Sequence, residues 1–187
     1  MRNKDFDKQN RIKEAMIRLI LRDGIDGTSM SKIAKEAGVS PATIYVYYES
    51  KEDMLSEVFR EYARKSYDYL MERIDPAMDA GELIEAIVKG CYHFSVEYKE
   101  IFSFVEQCSR CPTLSDRFSE KECSCNLLEL IHEYQASGTI QPFSDLNISA
   151  VLFAPVRFLV LNRQWIEKDE EVLLDELVHM LQHLLLK

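Results

Sequence analysis

The stretch Ala34-Lys-Glu-Ala-Gly38-Val-Ser-Pro41 leaves the backbone few options, because it stops one helix and starts another within a few residues. Met30, Ile33, Ala34 and Ala37 recur at helical spacing and define the inner face of a first short helix. Ala34 is small enough for a second helix to cross closely over it. Gly38 suits the left-handed backbone that ends a helix, a conformation that costs glycine little. Val39 plugs the gap, Ser40 is placed as an N-cap, Pro41 takes the first helical position and Ile44 turns inward. A helix, a tight glycine turn and a second capped helix make a helix-turn-helix over residues 29–48. In that motif the second helix enters the major groove of DNA.

The remaining segments also read as helices. Ile12, Ala15, Met16, Leu19 and Ile20 form one apolar stripe, and Asp23-Gly24 with Asp26-Gly27 stops it. A long helix over 51–74 starts where Ser50 caps and Asp53 answers as in a capping box. Met54, Leu55, Val58, Phe59 and Tyr62 line its apolar face, and Asp75-Pro76 ends it. Further helices are expected near 81–98, 99–110, 113–137, 146–167 and 170–186. They are separated by Cys111-Pro112, by Gly138 as a C-terminal cap and by the loop 141–145. Short alternating strand patterns and internal repeats are absent, so the fold class is all-α. The expected division is a DNA-binding domain over 1–50 and a regulatory and dimerisation domain over 51–187.

Charge points the same way once its distribution is considered. The 187-residue chain carries a net charge of −9, which opposes a polyanionic partner. The first 60 residues, however, hold 11 of the 23 basic and 10 of the 32 acidic side chains, so the acidic surplus lies behind them. Only the front segment can approach nucleic acid without strong repulsion. No apolar run reaches the ~18 residues of a membrane span. The polar start, MRNKDFDKQN, shows no signal peptide, so a cytoplasmic location with reduced cysteines is expected.

Ile44-Tyr-Val-Tyr-Tyr-Glu-Ser-Lys51-Glu-Asp-Met-Leu55 is more particular than the helix-turn-helix alone. It resembles the TetR family, the tetracycline-repressor-like regulators. Their signature is a recognition helix ending in Tyr-x-(His/Tyr)-Phe, then a lysine opening the long connecting helix. The likeness is specific over about residues 11–60. Tyr48 stands where the family more often has Phe, which keeps the aromatic plug and adds a hydroxyl. The resemblance implies DNA contacts from Ser29, Ser31, Ser40, Thr43, Tyr45 and Tyr47, whose hydroxyls reach phosphates or base edges. It implies a phosphate contact for Lys51 at a helix N-terminus. Pro41, Ala42 and Val46 offer apolar surface to thymine methyl groups, and no Arg or Lys lies in 41–48 for guanine readout. Operator double-stranded DNA is the implied partner, and the implied assembly is a homodimer paired through the last two helices, with Leu177 and Leu181 as buried positions.

The second half speaks less clearly. Tyr92, His93, Gln107 and Tyr134 are polar candidates for anchoring a small-molecule effector in a partly apolar cavity. Cys108-x-x-Cys111 and Cys123-x-Cys125, with Cys91, His93 and His132, invite an alternative, a thiol- or metal-responsive repressor. Cys123 and Cys125 lie two apart on an expected helix and point different ways, which favours cysteines as small hydrophobes. No metal site and no cofactor are expected. No phosphate-binding loop, no paired acids at metal-site spacing and no Ser/His/Asp motif appears, so the chain does not read as an enzyme. The sequence points to a ligand-responsive DNA-binding regulator, a repressor released from a near-palindromic operator.

Overall fold

A computed structural model describes the backbone of residues 2–111, 121–165 and 169–187, and side chains from Asp5 and, in the helix opening at Lys121, from Leu127. Among the described residues the fold is helical, and its extended pairing is one isolated antiparallel bridge, Ile140 with Leu186. The expected start of a helix at 113–120, the end of another at 166–167, and the side chains of Cys123 and Cys125 lie outside the described residues. Two compact units form. The first takes Met1–Arg64 with Lys99–Ser119, the second Lys65–Tyr98 with Glu120–Lys187.

In the first unit, α1 (Arg2–Asp23) packs on α2 (Met30–Ala37), and α3 (Pro41–Tyr45) packs on α2. The five residues read as the stripe of α1 are all at most 2% exposed. They meet Ile33 and Ala34 of α2, Ile44 and Tyr48 beside α3, and Met54 and Val58 of α4 (Lys51–Met71). Less visible from sequence is the role of α6 (Lys99–Ser109), which also packs on α1. Its Phe104 and Cys108 are both 0% exposed within this same core.

The ends of α4 follow from local chemistry. Ser50 Oγ accepts the Asp53 N–H at 3.0 Å, and the Asp53 carboxylate accepts the Glu49 N–H at 3.1 Å, one residue before the cap. At the other end α4 stops at Met71, a turn before Asp75-Pro76. There Arg73 N–H bonds Leu70 C=O at 3.0 Å and Ile74 N–H bonds Met71 C=O at 3.2 Å, the tighter spacing of a fraying turn. The Arg73 guanidinium donates to the Tyr69 carbonyl at 2.7 Å, satisfying an orphan acceptor.

In the second unit, α5 (Ala80–Glu97) packs against both α8 (Asp145–Leu161) and α9 (Glu170–Leu185), with α7 (Lys121–Ala136) contributing Leu127 and Ile131 to the core. Asp79 and Glu82 close a capping box on α5, a D-x-x-E signal present in the sequence. Gly138 takes its left-handed conformation (φ +80°), as its position after α7 predicts. Helix α8 ends at Leu161, earlier than its periodicity suggests, and a 3-10 turn follows over Arg163–Trp165. Around the Ile140–Leu186 bridge, Gln141 N–H bonds Leu185 C=O at 2.8 Å and Lys187 N–H bonds Thr139 C=O at 3.0 Å. No helix among the described residues is long and apolar enough to cross a membrane.

Candidate nucleic-acid interface

The turn before α2 is shaped by Thr28 and Gly27. Thr28, 3% exposed, donates its hydroxyl to the Gly24 carbonyl at 2.9 Å. A Cβ at Gly27 would stand 2.1 Å from the Asp23 carbonyl oxygen, so only glycine fits there. Ser29 then caps α2, its Oγ accepting the Lys32 N–H at 3.3 Å. Gly38 closes α2 at φ +67°, where its N–H bonds Lys35 C=O and Val39 N–H bonds Ala34 C=O at 2.9 Å. Ser40 caps α3, its Oγ accepting the Thr43 N–H at 3.2 Å and lying 2.9 Å from Thr43 Oγ1.

This scaffold turns α3 so that its two sides differ sharply. Ile44 and Tyr48 are at most 1% exposed, while Tyr45 is 57% and Val46 77% exposed. Pro41 and Ala42 are also exposed, as are Ser29, Ser31 and Ser40, whereas Thr43 is half-buried. The Tyr47 hydroxyl donates to Asp5 Oδ1 at 3.5 Å, and burial followed by the Asp5 charge raises its phenol above the ordinary range. Tyr48 is the core plug. Gln9 Nε2 donates to its oxygen at 3.4 Å, and burial pushes the phenol up to about 12.

Five cations of the first unit differ in what they bind. Lys13 pairs with Glu61, Arg18 reaches Glu36 at 3.4 Å, and Arg22 pairs with Asp23 at 2.9 Å and with Glu36 at 3.9 Å. Lys51 instead donates to the Ile25 carbonyl at 3.2 Å, and Lys32 to the Gly27 carbonyl at 2.5 Å. Each ammonium has three protons, so both keep donors to spare. Lys32 is absent from the sequence-derived set because a lysine on a helix is ordinarily a solvated side chain; its aim at the Gly27 carbonyl appears only in three dimensions.

The four effector candidates are divided between the two units. Gln107 belongs to the first unit and the other three to the second. His93 is exposed, 3.6 Å from Glu171. The Tyr134 hydroxyl donates to the Met78 carbonyl, which fixes the loop before α5. Tyr92 is buried beside Glu170, and burial first, then that carboxylate, pushes its phenol up to about 12. Leu181 is 4% exposed, covered by the core of its own unit, whereas Leu177 is half-buried at the edge of that core. The large apolar side chains left open on these helices are Leu146, Phe153, Phe158 and Leu161 on α8 and Val172, Met180 and Leu184 on α9. Burial pushes the thiols of Cys91 and Cys108 up to about 12. Among the described residues no group of three or more His, Cys, Asp or Glu is placed to hold a metal ion.

Known proteins share the sequence pattern and the fold. The pattern of the bacterial regulatory proteins of the tetR family matches residues 12–58. An uncharacterized HTH-type transcriptional regulator of Haemophilus influenzae is 28% identical over 150 residues, which is 78% of this chain and 77% of that protein. The fatty acid metabolism regulator protein of Bacillus subtilis is 34% identical over 89 residues, 48% of this chain and 45% of the relative. A crystal structure of a TetR family transcription regulator from Marinobacter aquaeolei VT8 superposes with a TM-score of 0.87 at 26% identity, covering 100% of both chains. The chain belongs to the tetR family of bacterial regulatory proteins and is a DNA-binding transcriptional regulator.

Proposed function

We propose that the protein is a dimeric repressor that leaves a near-palindromic operator when a small molecule binds, with residues 1–50 carrying DNA recognition and 51–187 sensing and pairing. One observation carries the DNA part: Tyr45 at the end of α3 and Val46 after it stand in water, while Ile44 of α3 and Tyr48 just beyond it are buried. Thr43, Tyr45 and Val46 meet base edges, with Pro41 and Ala42 against thymine methyls. Ser29 and Ser40 accept backbone N–H groups as caps and so keep hydroxyl protons to donate to phosphates. Ser31, Tyr47, Lys51 and Lys32 add phosphate contacts. The open apolar residues of α8 and α9, with Leu177 at their edge, cover a second copy. This spaces two recognition helices for half-sites about 34–36 Å apart.

The effector must bind the DNA-incompetent conformation better than the competent one, or it shifts nothing. Helix α4 is the mechanical link, since it begins at Lys51 in the first unit and ends in the second. The relative named for fatty acid metabolism makes acyl compounds the first class to titrate. The thiol-responsive alternative gains no support from Cys91 and Cys108, because the thiolate is the reactive form and burial suppresses it.

The test has two stages. Selection from random duplexes should return inverted half-sites; recovery of no preferred sequence would defeat the operator reading. An acyl compound that binds should then lose affinity in the presence of operator by the same factor by which it weakens DNA binding. Equal affinity with and without operator would sink the release mechanism.

A further inference from the structure

His179 and His183 occupy successive turns of α9 on the side away from its core residues Leu174, Val178 and Leu181. Both are exposed, and their rings approach closely, with centroids 4.4 Å apart and planes at 82°. The two Nε2 atoms lie 3.1 Å from each other. Residues four apart on a helix are neighbours, and two histidines at that spacing form a chelating pair. Two imidazole nitrogens bound to one tetrahedral zinc, each at about 2.0–2.1 Å, stand about 3.3 Å apart. The observed separation is within a few tenths of that value.

A closed tetrahedral site needs four protein ligands, and among the described residues this chain brings no third one. The flanking surface says where the others come from. Val172 and Met180 are 49% and 67% exposed around the histidines, an apolar border on the helix face opposite the core. In a two-fold dimer each patch meets its own copy, so a half-site near the axis is completed by the identical half-site. The geometry points to a shared transition-metal site in which His179 and His183 of two chains hold one zinc-class ion between them. Imidazole suits zinc, copper and nickel and does not suit magnesium. This inference rests on the reading that α9 meets a second copy.

The test uses the full chain, stripped with EDTA and titrated with zinc chloride, with magnesium chloride as control. Native mass spectrometry should find one zinc per two chains. A site present only in the dimer tightens the dimer by the factor 1 + [Zn]/Kd, about 100-fold when free zinc is about 100 times its Kd. Magnesium should do neither. The exposed pair can be replaced without touching the core, so His179→Asn with His183→Asn should keep wild-type helicity and melting and lose both zinc effects. One zinc per single chain, equal zinc binding by the double variant, or no bound zinc would each overturn the site. Val172→Glu with Met180→Glu, sedimented in EDTA, tests the pairing face separately. A dimer that survives both substitutions overturns that face and the shared site with it, whereas a lost dimer beside a wild-type chain that takes up no zinc overturns the site alone.

Discussion

Lys32 and Lys51 give their ammonium groups to the same turn, Lys32 to the Gly27 carbonyl at 2.5 Å and Lys51 to the Ile25 carbonyl at 3.2 Å. The turn thereby holds two cations, one from α2 and one from the start of α4, without neutralising either. Lys51→Ala should weaken binding to every DNA sequence and reduce the slope of log K against log salt by about 0.9, the contribution of one phosphate. Lys32→Ala should do the same, and the double variant should lose about twice that slope. Each variant loses one hydrogen bond, about 1 kcal/mol of stability, which thermal melts separate from the binding effect. An unchanged slope for Lys51→Ala would remove it from the interface.

Gly27 and Gly38 should respond to alanine by different physics. At Gly38 a Cβ meets no atom within 4 Å, so Gly38→Ala costs only the left-handed backbone, about 1–2 kcal/mol. At Gly27 a Cβ would press on the Asp23 carbonyl oxygen at 2.1 Å, and backbone must move. Gly27→Ala should therefore be the more destabilising of the two in urea unfolding; the reverse order would contradict the packing described for this turn.

Tyr45 and Tyr48 divide binding from stability. Tyr45→Ala should leave the folded state within about 0.5 kcal/mol of wild type, as for other exposed positions, and lower operator affinity. Tyr48→Ala should cost about 3–5 kcal/mol, in the range of a large aromatic removed from a core. Tyr48→Phe gives up only the long contact from Gln9 and should be nearly neutral at pH 7.

The Tyr48 phenol also predicts alkaline behaviour. Its folded-state value of about 12 lies above the ordinary value of about 10, so folding favours the neutral ring. That stabilisation is whole below pH ~10 and drains away as pH rises through ~12. Tyr48→Phe is spared this loss and should gain on wild type over that window. Parallel melting curves that keep a constant gap from pH 9 to ~12 would exclude the effect.

Cys91 and Cys108 should be nearly inert to iodoacetamide at pH 7.5 in the native protein and react fast in urea, since burial pushes both thiols up to about 12. Mass spectrometry of the labelled peptides reads this directly. Rapid native labelling of either would reopen a redox role.

Much of the first unit was legible because its signals are local. Ser40, Pro41 and Gly38 act through their own backbones, and the stripe from Ile12 to Ile20 needs only helical spacing. The rest depended on which of several surfaces covers a side chain. The apolar face of α9 announces that Leu181 is buried but does not say whether its own unit or a second copy buries it. The Tyr134 hydroxyl reads as a polar anchor until the Met78 carbonyl is found against it. Helix α4 ends at Met71, before the proline that the sequence offers as its stop, and Arg73 satisfies a carbonyl freed there.

The path of the chain sets a rule for anyone wishing to transplant its DNA-reading part onto a different sensor. The first unit ends at Arg64 in one strand of the sequence and resumes at Lys99. A fragment cut at residue 64 would leave behind Phe104 and Cys108, both fully enclosed against α1 and its neighbours, and would expose a hole where they had been. A working chimera must exchange the stretch between the two pieces and keep α6 as native cargo, so the recombination points lie on either side of α5 and after α6, not at a single junction.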